Sequence, residues 1–160
     1  MPITTQVKPT AGSILYIGPS SDTPPADANV AAALAWTRIR KTETFGAFGD
    51  AAQPVTFDST DEDRRFKAKG TRDAGDWTFT CGFVASDAGQ QALIAAVDSH
   101  QDYNFKLVLG DEPVNGTSGT IFYLFGLVLT ARPNPGGANN VIRLEASVGL
   151  NAKPLMVPAA

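Results

Sequence analysis

IFYLFGLVL, residues Ile121 to Leu129, is apolar on both faces of a strand. Side chains alternate across a strand, so Ile121, Tyr123, Phe125, Leu127 and Leu129 share one face. Phe122, Leu124 and Val128 share the other, with Gly126. A half-buried strand alternates apolar with polar residues. This one does not, so both faces must be covered. It is the central strand of a layered domain, or a second copy of the chain closes one face, or both.

The segments around it read as further strands. WTFTCGF, residues Trp77 to Phe83, alternates cleanly, with Trp77, Phe79, Cys81 and Phe83 inward and Thr78 and Thr80 outward. Val141 to Gly149 turns Ile142, Leu144, Ala146 and Val148 in, and Arg143 and Glu145 out. The run PNPGGANN, Pro133 to Asn140, joins it to the central strand as a hairpin. Tyr103 to Leu109 is another strand and brings Phe105 to the core. Before these come a short strand at Gly12 to Gly18, a proline-rich loop at Pro19 to Asn29, an Ala-rich turn of helix at Val30 to Leu34, and one strand from Trp36 to Phe45. Gly46 to Asp61 reads as a long loop with a short strand at Val55 to Phe57, and Arg64 to Lys69 as a strand.

One helix stands out, over residues 87–99. Asp87 is placed to cap it and Gln90, three residues on, to complete a capping box. Leu93, Ile94 and Val97 then form one apolar stripe. Strands, one helix, then strands predict a mainly β fold: an antiparallel sandwich or barrel with one flanking helix. The expected organisation is an N-terminal arm over residues 1–11, one domain over 12–150 and a C-terminal arm over 151–160. Its core is expected to hold Trp77, Phe79, Phe83, Leu93, Val97, Phe105, Phe125 and Leu127.

The 160 residues are 43% apolar and only 18% charged, with a net charge of −3. That is enough apolar chain for one real core. Few charges leave much surface neutral, which suits a subunit buried by partners. Mild acidity argues against tight nucleic-acid binding, which needs clustered Lys and Arg. The single cysteine, Cys81, permits no disulfide within the chain and fits a reducing cytoplasm. Met1 to Pro9 lacks the basic start and apolar run of a signal peptide, and no apolar run reaches the ~20 residues of a membrane span.

No catalytic or metal constellation emerges. His100 is the only histidine and lacks partners for a metal or a triad. Cys81 sits on an inward strand face, as a small apolar residue would. Asp61-Glu62-Asp63 offers carboxylates, but Arg64 and Arg65 follow and neutralise them. Asp73 and Asp76 flank Gly75 as turn formers, and PNPGG lacks the pattern of a phosphate loop. Arg38, Arg40, Arg64 and Lys67 are interspersed with acids and are expected in ion pairs between strands or subunits. No catalytic, cofactor or metal residues are assigned.

From Trp36 to Leu150 the chain resembles the tail tube (major tail) proteins of long-tailed phages and of phage-like gene transfer agents. The resemblance rests on the strand Trp36 to Phe45 with Gly46 after it, the loop to Val55 and Phe57, and DEDRRFKAKG. It continues through RDAGDWTFTCGF, the helix start DAGQQAL, FYLFGLVL and NNVIRLEASVGL. It implies a structural, non-enzymatic subunit forming hexameric rings that stack into a tube. Strands of adjacent subunits would join into a β-barrel lining a lumen, through which double-stranded DNA passes without specific binding. Further implied partners are the tape-measure protein, the tail terminator and the distal tail or baseplate proteins. The implied location is the virion tail, after synthesis in the bacterial host cytoplasm. The loop 46–61 matches the family's long loop, which contacts the adjacent ring; Phe48, Asp50, Val55 and Phe57 are its expected contacts, and both arms are candidates for the same role. Such a lumen should be acidic or neutral, because Lys and Arg contacts to phosphate would stall transit. Two alternatives share the plan: a single-ring tail adaptor or terminator, or a contractile-injection tube protein. A third is a small ligand-binding barrel with Trp77, Phe79 and Phe83 lining its pocket.

Overall fold

The computed structural model describes residues 7–160; the first six residues of the expected N-terminal arm lie outside the described residues. In chain order the elements are β1 (Ile14–Ser21), α1 (Ala28–Ala32), β2 (Thr37–Ile39), β3 (Thr42–Phe45), β4 (Ala51–Asp58) and β5 (Arg65–Asp73). They continue with β6 (Asp76–Gly82), α2 (Ala88–Val97), β7 (Asp102–Val108), β8 (Ile121–Asn134), β9 (Arg143–Leu150) and β10 (Leu155–Val157). The main sheet runs β2-β1-β7-β8-β9-β6-β3, with β10 beside β8, and β4-β5 forms a separate two-stranded sheet. Every pairing is antiparallel. The mainly β, sandwich-like class expected from the sequence holds, without closure into a barrel.

β8 organises the molecule. Its first half pairs with β7 along Ile121 to Gly126. On its other edge β10 takes Ile121 to Tyr123 and β9 takes Gly126 to Asn134. Gly126 marks the crossing from one neighbourhood to the other. A Cβ there would lie 2.4 Å from the Gly149 carbonyl oxygen, so only glycine allows this approach.

Both faces of β8 are covered, as its sequence requires. Leu124 and Val128 enter the central cluster with Leu15, Ile17, Trp77, Phe79, Phe105 and Leu107, and Phe122 packs against it. On the opposite face Tyr123 and Phe125 are buried. Trp36 lies over Tyr123, ring centroids 6.0 Å apart, and Pro24, Pro25 and Leu155 stand beside them. The chain's own Pro-rich loop and C-terminal segment therefore close that face as far as Phe125. Beyond it Leu127 is half-buried and Leu129 is 45% exposed.

The single strand expected over Trp36 to Phe45 is two strands. Lys41 has φ 60°, a left-handed backbone that breaks the run. β2 pairs with β1 and β3 with β6, at opposite ends of the strand order. Two residues thus join the sheet's two ends and curl it around one core. α2 covers that core with Leu93 and Ala96.

Asp87 caps α2, accepting from the Gln90 amide at 3.1 Å and also from the Arg40 amide at 3.1 Å. The expected capping box does not form, because the Asp87 N–H donates to the Val84 carbonyl instead. The Gln90 side chain turns inward. Its oxygen accepts from Val84 N–H at 2.9 Å, and its amino group donates to the carbonyls of Arg40 (3.0 Å) and Gly82 (2.8 Å). One side chain thereby ties the β2-β3 junction, the end of β6 and α2 together.

Further boundaries shift. The loop expected over 46–61 is largely strand β4, paired along its length with β5 as a hairpin. The C-terminal arm folds back as β10, and beyond it Ala160 O accepts from the amides of Thr117 and Ser118. Ile142 precedes β9 and is exposed; Phe83 and Val97 only flank the core.

Candidate subunit interface

The β4-β5 hairpin stands apart from the main sheet. Its register sets Val55 against Ala68, Thr56 against Lys67, Phe57 against Phe66 and Asp58 against Arg65. With a period of two, Val55, Phe57, Phe66 and Ala68 form one apolar face and Thr56, Asp58, Arg65, Lys67 and Lys69 the polar one. The apolar face finds little cover among the described residues: Phe57 is 66% exposed, Val55 54% and Phe66 44%. An isolated two-stranded hairpin is marginal in water, and a fully buried Phe or Val is worth about 1.5–3 kcal/mol. This face therefore gains from a partner.

The hairpin's ends are fixed. Near the tip, Arg65 forks onto Asp58 at 2.6 and 3.2 Å. At the root, Arg72 lies 3.7 Å from Asp50. Phe48 packs edge-on against Phe122 (4.9 Å) and Trp77 (5.9 Å). The Gly46 carbonyl accepts from the Trp77 indole at 3.2 Å, and its amide donates to Thr78 O at 2.7 Å. Phe48 and Asp50, expected as contacts to another ring, thus also make contacts within their own chain.

Besides the outer edges of β2 and β10, the described residues leave two stretches of open edge on the main sheet. β3 pairs only with β6, and β8 beyond Gly126 pairs only with β9. Between them runs a four-stranded unit, β3-β6-β9-β8. Proline in a sheet keeps its nitrogen on an unpaired side, so Pro133 in β8 fits an open edge there.

The outward face of this unit is polar apart from Leu127 and Leu129, near Gly126. Thr78 and Thr130 stand opposite Ser147, and Thr80 and Arg132 opposite Glu145. Arg143 donates to Glu43 at 2.6 and 3.1 Å, and Asn134 donates to Glu145 at 3.1 Å. The hydrogen bond from Arg143, with its charge, holds the Glu43 carboxyl below the usual range; Glu43 in turn raises the guanidinium. Positive and negative side chains are therefore interleaved across the face.

The predicted ionic residues do not converge. Arg40 lies 3.9 Å from Asp87 of its own chain. Arg38 is exposed on β2, Arg64 precedes β5, and Lys67 is on the hairpin's polar face; none pairs with a carboxylate within 4 Å among the described residues. Phe66, Ala68 and these two open edges were not singled out in the sequence, and Gln90 was read only as a capping-box residue. The Phe57–Phe66 cross-strand pair was legible only once the hairpin register was known.

Among the described residues no cluster of His, Cys, Asp and Glu could hold a metal, and no helix is long and apolar enough to cross a membrane. Cys81 is buried, and burial first, then the Asp87 charge, push its thiol up to about 11. Trp77 and Phe79 are packed in the core.

No protein-family model matches the chain, and no curated protein does. The fold, however, recurs. A chain of the anti-feeding prophage baseplate aligns over 98% of both chains, with TM-score 0.71 and 10% identity. A chain of the anti-feeding prophage cap, a tube terminating cap, aligns over 98% of this chain and 95% of that one, with TM-score 0.69 and 13% identity. A chain of the SPP1 tail tube aligns over 94% of this chain and 80% of that one, with TM-score 0.63 and 16% identity. The chain thus has the fold of tail tube and tube cap subunits.

Proposed function

We propose that this chain is a structural subunit of a phage or phage-like tail tube, assembling as hexameric rings that stack into a conduit for double-stranded DNA. The observation that carries this reading is the four-stranded unit β3-β6-β9-β8 with an open edge on each side. Exposed edges are an aggregation hazard unless they are paired or covered. Joining the β3 edge of one copy to the distal β8 edge of the next is a head-to-tail contact, which closes into a ring when the rotation allows. A closed ring of sheets has no edge left.

The outward face of the same unit then lines the lumen. Its threonines, serine and interleaved charges suit a passage that must not hold phosphate. In this reading the hairpin and the C-terminal segment lie away from the lumen. Arg38, Arg64 and Lys67 are available for ion pairs between subunits. The tape-measure protein would occupy the lumen before DNA, and the terminator and distal tail or baseplate proteins would close the ends. The protein would be made in the host bacterial cytoplasm and end in the virion tail. The likeness to a tube terminating cap favours a second reading, a single ring that does not stack.

Paired proline substitutions test the ring. Pro133 turns its nitrogen from β9, and Ala131, two residues earlier, turns its N–H the same way. Ala131→Pro should leave the fold intact and abolish ring formation, seen by electron microscopy. Arg132→Pro should instead break the β9 ladder and lower the melting temperature. Rings formed by folded Ala131→Pro protein would refute edge pairing.

A further inference from the structure

We propose that the apolar face of the β4-β5 hairpin seats in a groove beside β3 of a second copy, with Phe57 and Phe66 as the inserted pair. The inference rests on the reading of the chain as a self-assembling subunit, and names the surface that receives the hairpin.

The groove is lined by the apolar side chains of Phe45, Phe48, Leu107 and Leu109 together with Thr10, Glu43 and Thr44, and has a volume of about 360 Å³. A dry cavity of ~150 Å³ accepts one benzene-sized ring, so this space suits two phenyl groups. The hairpin offers two: Phe57 and Phe66 are direct cross-strand neighbours and are its most exposed aromatics.

The hairpin cannot fill the groove of its own chain. Phe48, part of the groove, precedes β4 by only three residues and is held on Trp77 and Phe122. Phe57 lies six residues along β4 from Ala51, about 20 Å away at the rise of a strand. The groove is thus at the hairpin's root and the aromatic pair toward its tip. A neighbour's hairpin meets no such limit. The groove is also continuous with the open β3 edge, since Thr44 and Phe45 belong to both. Lys67 and Lys69 stand on the hairpin's polar face, turned away from the groove when the apolar face docks.

The contact is small. Two phenyl groups and a valine fall well below the ~1,000 Å² of a stable interface. The hairpin therefore adds to edge pairing and does not replace it. Phe57→Asp should raise the concentration needed for assembly about tenfold or more while leaving the monomer folded, because Phe57 is already exposed.

A double variant, Phe57→Cys with Leu109→Cys, tests the docking directly. The two sites of one chain are too far apart for a disulfide, and the native Cys81 is buried. Mild oxidation of assembled protein should give a ladder of linked multimers on a non-reducing gel. Pairing Phe57→Cys with Ile94→Cys on α2 should give none. Tubes without the Phe57–Leu109 ladder would overturn the groove and leave the tube standing. Failure of the wild-type protein to form any multimer would overturn both.

Discussion

Replacing Gln90 by alanine should destabilise the monomer far more than a polar residue in the first turn of a helix normally does. The side chain satisfies three backbone groups at once: Val84 N–H, Arg40 O and Gly82 O. It is 1% exposed. A buried polar group left without a partner costs about 1–3 kcal/mol. The Val84, Arg40 and Gly82 backbones are only part-buried, so water recovers some of that, and the lower end applies to each. The expected loss is about 3 kcal/mol, a large share of the 5–15 kcal/mol that holds a domain together. At 2–4 °C per kcal/mol for a chain of this size, the melting temperature should fall by roughly 10 °C. Urea unfolding followed by the fluorescence of Trp77, which is fully buried, measures it. Gln90→Glu sharpens the test. Glutamate keeps the acceptor for Val84 but turns a carboxylate toward two carbonyl oxygens, so it should be destabilised at neutral pH and partly recovered in acid. A loss below about 1 kcal/mol for Gln90→Ala would refute the tying role.

Two further outcomes follow from burial and charge. Phe125→Asp would bury a carboxylate under the Pro24-Pro25 loop, with Lys153 beside it but no hydrogen-bond donor placed for it, and should cost about 3 kcal/mol, leaving less soluble folded protein; unchanged melting would contradict the covered second face of β8. Glu43 has its carboxyl lowered by Arg143, so its contribution is present above the ordinary carboxylate range and lost as pH falls through its folded pKa. Melting curves from pH 7 to 3 should show a smaller acid loss for Glu43→Gln than for wild type; equal losses would remove the ion pair from the account.

The sequence carried most of the fold wherever an element faces the core. β6 and β9 alternate because one side of each is packed and the other is polar, and the Asp87 cap marked the start of α2. β8 announced its two covered faces directly. Elsewhere the signal was weak for physical reasons. β4 has an apolar face with no core beneath it, and Pro54 interrupts its strand pattern. The break between β2 and β3 falls at Lys41, whose left-handed backbone no glycine or asparagine advertises. Gln90 sits where a capping box would place it, so its inward turn could not be read from spacing. β10 is three residues in a segment that looked like a free arm. The proposed interface was legible in part: Val55 and Phe57, exposed on the hairpin, stood out, whereas Phe66 needed the hairpin register and the open edges needed the strand order.

The central claim is that copies of this chain join edge to edge into rings. Negative-stain electron microscopy of the purified protein across a concentration series tests it most directly. The account predicts hollow rings, or striated tubes built from them, with a sheet-lined lumen. A particle that stays monomeric up to the highest soluble concentration would contradict it.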